Sequence, residues 1–212
     1  MPGRPTARLS GPGARRARTP AAERDRVSCD EAGARPYTIE EHRHRFAAWA
    51  AGTAASVKGC RFSVEQGKAI LEDADLHLLL HDPANLPNPV DVDITHRAWR
   101  NKVIATAQRH GLNLTHGVAA KLINIYFKAG FVCAGHHNDA RVQALHPPID
   151  SVLLRELSEQ DLGDRRHVWN EARRIRWSRF NSGQYEKVIK SIRALQNNAP
   201  MWTVEQYWRG YQ

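Results

Sequence analysis

The chain has 212 residues, of which 42% are hydrophobic and 25% are charged, so it can bury a core without disulfides or a structural metal. Its cysteines are odd in number and widely spaced, which fits a reducing compartment better than a disulfide framework; they are Cys29, Cys60 and Cys133. The net charge of +9 favours a polyanionic partner, above all nucleic acid.

Two features of the sequence argue against a membrane protein. No stretch approaches the roughly 18 consecutive apolar residues that span a bilayer. The N-terminus is rich in Arg, Pro and Gly and has no apolar leader segment. We therefore expect a cytoplasmic protein with no membrane partner, while its oligomeric state is left open.

Residues 1–35 are predicted to form a disordered basic tail. They contain eight Arg and four acidic residues but almost no large apolar side chains, so they bury too little to offset the entropy of ordering. Subtracting the tail's +4 from +9 leaves +5 on residues 36–212, the predicted helical domain. Both a phosphate-binding arm and an inert extension fit the tail's composition.

Capping patterns predict the first two helices. Thr38 followed by Glu41 predicts a helix that runs to about Val57, and Ser63 followed by Gln66 predicts the next. The residues expected to face the core are Phe46, Ala50 and Thr53 with Trp49 beside them in the first helix, and Ile70, Leu71 and Ala74 in the second. The proline-rich stretch 81–93 is then a loop and a candidate subdomain boundary.

Further along the chain, a helix is predicted from Thr95 to Gly111, and the most apolar segment of the protein runs from Val118 to Cys133. This apolar segment is expected to be the central helix. Another helix should begin after 146–150. Aromatic residues near the C-terminus are expected to pack on the core; they are Trp202, Tyr207, Trp208 and Tyr211. Since no strand pattern stands out, we predict a compact all-α bundle around one buried helix.

Polar side chains interrupt the apolar surface of that central helix at Lys121, Asn124 and Lys128. Their spacing places them on one stripe. Buried ammonium groups are costly unless the stripe lines a polar cleft or meets anions, although a stripe that simply reaches solvent also fits. Lys121 is expected in the first turn of its helix, where the helix dipole and burial both favour the neutral, nucleophilic amine.

Asp150 is the second candidate for chemistry. It follows Pro147 and Pro148 at the predicted start of a helix, where a carboxylate caps free backbone N–H groups. Capping alone would explain the residue. Along the chain, Asp150 comes after a turn with a glycine, a lysine and a buried helix. This order suggests that Asp150 also faces Lys121.

Residues 114–121, which contain Gly117 and Lys121, together with residues 147–150, resemble the helix-hairpin-helix DNA glycosylases, and in particular their 8-oxoguanine branch. The resemblance implies a DNA glycosylase-like bundle that removes a modified purine and cleaves the DNA backbone. It implies that Lys121 attacks the sugar C1′ and that Asp150 stabilises the developing positive charge. It also implies that Gly117 lies in a hairpin that binds DNA.

Binding residues for DNA follow from this interpretation. Basic side chains that could hold backbone phosphates are Lys128, Arg173, Arg174, Arg176 and Arg179. Candidates for a pocket around an extruded base are Asn124, Phe127 and Phe131, and the C-terminal aromatic residues are alternative stacking platforms. A solvated basic face and an ordinary apolar core are the structural alternatives for these two groups.

Competing functions remain open at the level of sequence. We expect no metal or other cofactor, although a zinc site built from Cys133, His136, His137 and His146 is an alternative. A non-catalytic nucleic-acid-binding module, such as a component of a bacterial defence or regulatory system, requires only the basic face. A helical interaction protein that binds no nucleic acid is the third hypothesis.

Overall fold

A computed structural model describes residues 37–210, and over this range the chain is helical with no strand. This confirms the predicted all-α bundle. The predicted tail and Tyr211 lie outside the described residues. The helices are α1 (Ile39–Ala55), α2 (Val64–Asp73), α3 (Val92–Arg109), α4 (His116–Phe127), α5 (Ala140–Ala144), α6 (Ser151–Glu159), α7 (Arg166–Ile175) and α8 (Ser182–Gln196). The longer helical turns are a π-helix (Lys128–His136) and two 3-10 segments (Leu76–His81 and Met201–Tyr207).

The predicted start of α1 is confirmed, but its predicted inner face is wrong. Thr38 Oγ1 accepts the Glu41 N–H at 3.2 Å, as expected of the cap. Phe46 and Trp49, however, are 53% and 54% exposed. Small residues let α1 approach α2 and α4 closely, so the bulky aromatic side chains point outward. The buried face consists of His44, Ala47, Ala48, Ala51, Gly52 and Ala55.

Helices α2 and α3 follow the predictions closely. Ser63 and Gln66 form both bonds of a capping box, and α3 begins at Val92, three residues before the predicted start. The stretch between them folds into short 3-10 turns at Pro83–Asn85 and Pro89–Asp91. Helices on both sides of this stretch contribute to the same hydrophobic cluster.

Helix α4 is the central helix of the bundle, as predicted. Ten of its twelve residues are buried, and Thr115 caps it by accepting the Val118 N–H at 3.1 Å. One hydrophobic cluster lies between α4 and α1–α3, and a second joins α4 to α6–α8. The stretch His116–His136 is long and apolar enough to cross a membrane, but 67% of its apolar 18-residue window is buried inside this bundle, as expected of a core helix.

A fully buried arginine links α3 to α8. Arg100 Nη2 donates to Glu186 Oε1 at 2.7 Å, and the guanidinium lies 4.5 Å from the centre of the Tyr185 ring. The other two nitrogens of this guanidinium have no hydrogen-bond partner among the described residues. A hydrogen bond from Arg97, together with those from Ser182 and Arg100, lowers the pKa of Glu186 to about 2. Glu186 is thus the counter-ion of the buried Arg100 charge.

Replacing this counter-ion should destabilise the fold. We expect Glu186→Gln to reduce the free energy of unfolding at pH 7 by about 3 kcal/mol, because a buried guanidinium loses its charge partner. The stabilising effect of Glu186 is complete above the pKa of an unfolded glutamate and is lost as the pH falls toward 2. The difference from wild type should therefore shrink in acid. Urea unfolding at pH 7 and pH 3 measures this difference in the free energy of unfolding.

Glu171→Gln is the matched control for Glu186→Gln. Glu171 pairs at 2.5 Å with Lys187 on the surface, and both side chains are more than two-fifths exposed. Removing its charge should leave the free energy of unfolding nearly unchanged. Equal losses in the two variants would contradict the role given to Glu186.

Candidate active site: Lys121 and Asp150 in one cavity

The structure brings Lys121 and Asp150 together. Lys121 Nζ donates to Asp150 Oδ2 at 3.1 Å, and only 7% of the lysine side chain is exposed. Asp150 also caps α6, since its other oxygen accepts the Leu153 N–H at 2.9 Å. The Asp150 carboxylate therefore both caps α6 and contacts Lys121, the two roles that the sequence suggests for it. The cap fixes the position of the carboxylate that Lys121 contacts.

The Lys121 amine has a lowered pKa. Its burial disfavours the charged form, and the nearby charge of Asp150 offsets this effect only in part. Because α4 begins at His116, Lys121 lies in the second turn and not in the predicted first turn. The helix dipole acts mainly within the first turn, so burial is the main cause of the shift. A larger fraction of neutral amine is present here than on an exposed lysine.

The two side chains open into a cavity of about 520 Å³. Trp177 forms one wall, with the centre of its ring 5.6 Å from Lys121 Nζ. Trp208 forms another and donates its indole N–H to Asp150 Oδ2 at 2.9 Å. Lys128 pairs with Glu205 in the same cavity, and burial raises the pKa of Glu205. The remaining lining residues are Ala54, Val57, Ile125, Pro148, Ser151 and Val152.

Gly117 holds the Trp177 wall against α4. Its N–H donates to the Phe180 carbonyl at 3.2 Å, and Thr115 Oγ1 donates to the Ser178 carbonyl at 2.8 Å. A Cβ atom at position 117 would lie 1.8 Å from the Trp177 carbonyl oxygen. The amide of Gly117 is thus engaged inside the protein and is not free to bind a DNA phosphate. The glycine of the hairpin-like segment serves packing in this structure.

Adding a methyl group at Gly117 should displace this wall. We expect Gly117→Ala to lower the free energy of unfolding by about 2 kcal/mol or more, since backbone must move to relieve the clash. Chemical denaturation measures the loss. Gly183→Ala is the control, because the nearest atom to a Cβ there is 3.7 Å away. Wild-type stability of Gly117→Ala would show that the close contact with Trp177 is not required.

The residues predicted to form a base pocket lie in the core instead. Phe127 and Phe131 are 2% and 0% exposed and belong to the first hydrophobic cluster. Asn124 is buried as well, where its side chain bonds His96 at 2.7 Å and Tyr185 at 3.0 Å. None of the three lines the cavity, because α4 is surrounded by other helices and most of its faces meet protein. Of the polar stripe, only Lys121 and Lys128 reach the cavity.

Trp177 and Glu205 are the site residues that sequence reasoning missed, while Trp208 is named only as one of the C-terminal aromatic residues. A tryptophan is suited to a wall that is apolar on its face and polar at its N–H, but nothing in the sequence pairs Trp208 with Asp150. These residues follow α7 and α8, far along the chain from Lys121. Their position depends on how the C-terminal segments fold back onto α4.

The predicted basic residues Arg173, Arg174 and Arg176 line two concavities, and Arg173 borders both of them. Arg173 and Arg176 line a second cavity of about 460 Å³, which Arg155 joins. Arg174 faces an open depression beside α7, and Arg179 is exposed. The second cavity shares Ser151 and Trp177 with the first. Lys121 and part of the predicted basic face therefore lie on adjacent cavities.

The alternative zinc site is not assembled among residues 37–210, where no group of three or more His, Cys, Asp or Glu side chains could hold a metal. His146 is buried, and its two ring nitrogens bond Tyr185 at 3.1 Å and Asp93 at 2.7 Å. Cys133 is exposed.

What the cavity offers chemically is a shielded amine next to a fixed carboxylate, enclosed by two indole rings. Such an amine can attack an electrophilic carbon and form a Schiff base. Comparisons of the chain with models of protein families, with curated proteins and with solved structures gave no match.

Proposed function

We propose that the protein is a lysine-dependent DNA glycosylase and lyase that removes a modified purine such as 8-oxoguanine. The observation that carries this proposal is the buried Lys121 amine, 3.1 Å from Asp150 in a cavity that opens to solvent. The resemblance of residues 114–121 and 147–150 to helix-hairpin-helix glycosylases supports the same reaction.

In the proposed first step, the neutral Nζ of Lys121 attacks C1′ of the deoxyribose. The bond from C1′ to the base breaks, and its electron pair leaves with the base. Asp150 accepts the proton that the amine loses and transfers it to the departing base, while its charge stabilises the cationic sugar. The carboxylate held beside the amine by the cap is suited to both tasks.

In the second step, the sugar ring opens as the lysine nitrogen forms a C=N bond and the ring oxygen takes up a proton. Loss of a proton from C2′ then expels the 3′-phosphate, which cleaves the strand. Water hydrolyses the C=N bond and restores the free amine. Each of these steps uses only the DNA, water and the side chains of the cavity.

The target nucleotide has to leave the double helix to reach Lys121, at a cost of a few kcal/mol. The cavity volume of about 520 Å³ falls within the usual range of ligand pockets. Trp177 and Trp208 replace Phe127 and Phe131 as the candidates for stacking on the extruded base. Arginines on the adjacent cavity supply positive charge for the backbone.

Borohydride reduction tests the proposed chemistry. Hydride converts a Schiff base into a stable secondary amine, so incubation with lesion-containing duplexes and borohydride should yield a covalent protein–DNA adduct. The duplexes should include 8-oxoguanine, other modified purines and a pre-formed abasic site. Binding to these duplexes without any trapped species would overturn the proposal.

A non-catalytic nucleic-acid-binding module is the second candidate, favoured by the arginines of the second cavity, which do not depend on Lys121. In that case Lys121→Ala would leave binding and its biological effect intact. Substitution of Arg173 and Arg176 would weaken binding and flatten its dependence on salt. Binding that is insensitive to salt would instead favour a protein partner.

A further inference from the structure

The second cavity has the composition of an anion site. We name it the arginine pocket; it is lined by Arg155, Arg173, Arg176, Ser151, Ser178 and Trp177, with Leu154 at its apolar side. Arg155 extends from α6, while Arg173 lies near the end of α7 and Arg176 directly follows it. Three guanidinium groups in one concavity of about 460 Å³ repel one another unless an anion lies between them.

Little negative charge within residues 37–210 balances the arginine pocket. Arg155 contacts Glu156 at 3.0 Å, but Glu156 is shared with Arg209 at 3.7 Å. Among the described side chains, Arg173 donates a hydrogen bond only to the Ser158 hydroxyl, at 3.5 Å. Over the part of the chain that the structure describes, no carboxylate forms an ion pair with Arg173 or Arg176. The pocket thus retains an excess of positive charge.

The position of the pocket restricts which anion it can take. It meets the Lys121 cavity at Trp177 and Ser151. Ser151 is the first residue of α6, so the positive end of that helix dipole also favours an anion here, while the Leu153 N–H of the same turn is already bonded to Asp150. Guanidinium groups match the geometry of phosphate oxygens. An anion in this pocket lies next to the site where Lys121 would meet a sugar.

We propose that the arginine pocket binds the phosphodiester group attached to the very sugar that Lys121 attacks. This inference rests on the proposed glycosylase function and adds to it how the target nucleotide is held. A phosphate fixed on one side of Trp177 places its own sugar on the other side, in front of the amine. The arginine pocket is therefore a positioning site for the reacting nucleotide and not a general contact to the DNA backbone.

Neutral phosphate substitution tests this proposal. The probe is a duplex with a non-cleavable abasic-site analogue, in which one phosphate is replaced by an uncharged methylphosphonate. Replacement of the phosphate on the 5′ or the 3′ side of the analogue should weaken binding to the wild-type protein by about ten-fold or more. Replacement of a phosphate far from the analogue should weaken it much less. Fluorescence anisotropy gives the dissociation constants.

Arg173→Gln and Arg174→Gln form a matched pair, since both remove one charge from neighbouring positions of α7 and only Arg173 lines the pocket. The Arg173→Gln protein should bind the unmodified duplex more weakly and lose most of its sensitivity to the adjacent methylphosphonate. The Arg174→Gln protein should keep the wild-type sensitivity. If the adjacent methylphosphonate weakens binding equally in the wild type, Arg173→Gln and Arg174→Gln, the proposal is overturned.

Inorganic phosphate and deoxyguanosine monophosphate distinguish a site for DNA from a site for a free nucleotide. Inorganic phosphate should raise the melting temperature of the wild type and of Arg174→Gln more than that of Arg173→Gln. Tight binding of the mononucleotide, equal to that of the duplex, would overturn the assignment to DNA.

The failure of this inference can be told from failure of the proposed function. If the pocket discriminates the adjacent phosphate but Lys121 yields no borohydride adduct, the pocket stands as a phosphodiester-binding site, while the glycosylase proposal and the attack by Lys121 are overturned. If the adduct forms but binding depends on no single phosphate, the glycosylase proposal stands and the proposed role of the arginine pocket is overturned.

Discussion

A Lys121→Gln protein is expected to form no borohydride-stable adduct and to lose base excision by about a thousand-fold or more, because no other group in the proposed mechanism can form the Schiff base. Glutamine keeps a polar side chain of similar length but has no nucleophilic amine. Asp150 still accepts the N–H groups of Leu153 and Trp208, so the fold should survive. Gel analysis of trapped adducts and single-turnover excision rates measure the effect.

Lys102→Gln is the control for the Lys121 substitution. Lys102 lies on the surface of α3, about half exposed, and pairs with Asp75 at 2.6 Å. This variant removes the same charge from the protein and should keep the adduct and the excision rate. An undiminished adduct in Lys121→Gln would show that a different amine reacts.

An Asp150→Asn protein should separate the two halves of the proposed reaction. Asparagine is also a good N-cap, so its side-chain oxygen can still accept the Leu153 N–H and preserve α6. Base excision should fall by about a hundred-fold or more, since the acid–base group and its charge are lost. Schiff-base formation with a pre-formed abasic site should persist, because that step needs only the amine.

The pH dependence of this variant has a definite sign. The charge of Asp150 raises the pKa of Lys121 and so opposes the lowering caused by burial. Without that charge the pKa falls further, and the neutral amine is present at lower pH. The rate of adduct formation with an abasic site rises with pH as the amine loses its proton, and this rise should move to lower pH in Asp150→Asn. A shift to higher pH, or unchanged base excision, would contradict the assigned role.

The sequence predicts those parts of the fold that local patterns determine. Thr38 and Ser63 cap their helices because the bonds involved join residues three positions apart. Helix α4 is central because it is apolar on nearly every side. The inner face of α1 was predicted wrongly since size mattered more than hydrophobicity there. Alanines and Gly52 allow the closer contact, which leaves Phe46 and Trp49 in solvent.

The candidate site was only partly accessible to sequence reasoning. Lys121 and Asp150 each stood out as a polar residue in an otherwise apolar context. Of the walls, the sequence points to Trp208 only as one of several C-terminal aromatic residues and not to Trp177, because both reach the cavity through tertiary packing of segments far away in the chain. The use of Gly117 was also hidden, since a glycine in a turn has the same appearance whether it binds a phosphate or, as here, contacts the Trp177 backbone.

Mass-spectrometric mapping of the borohydride adduct shows whether Lys121 is the amine that attacks the DNA sugar. The wild-type protein is trapped on lesion-containing DNA, the DNA is digested to the linked sugar, and the modified peptide is sequenced. We expect a single modification, on the peptide that contains Lys121. Modification of Lys128 alone, of several surface lysines equally, or of no lysine while the base is nevertheless released would contradict it.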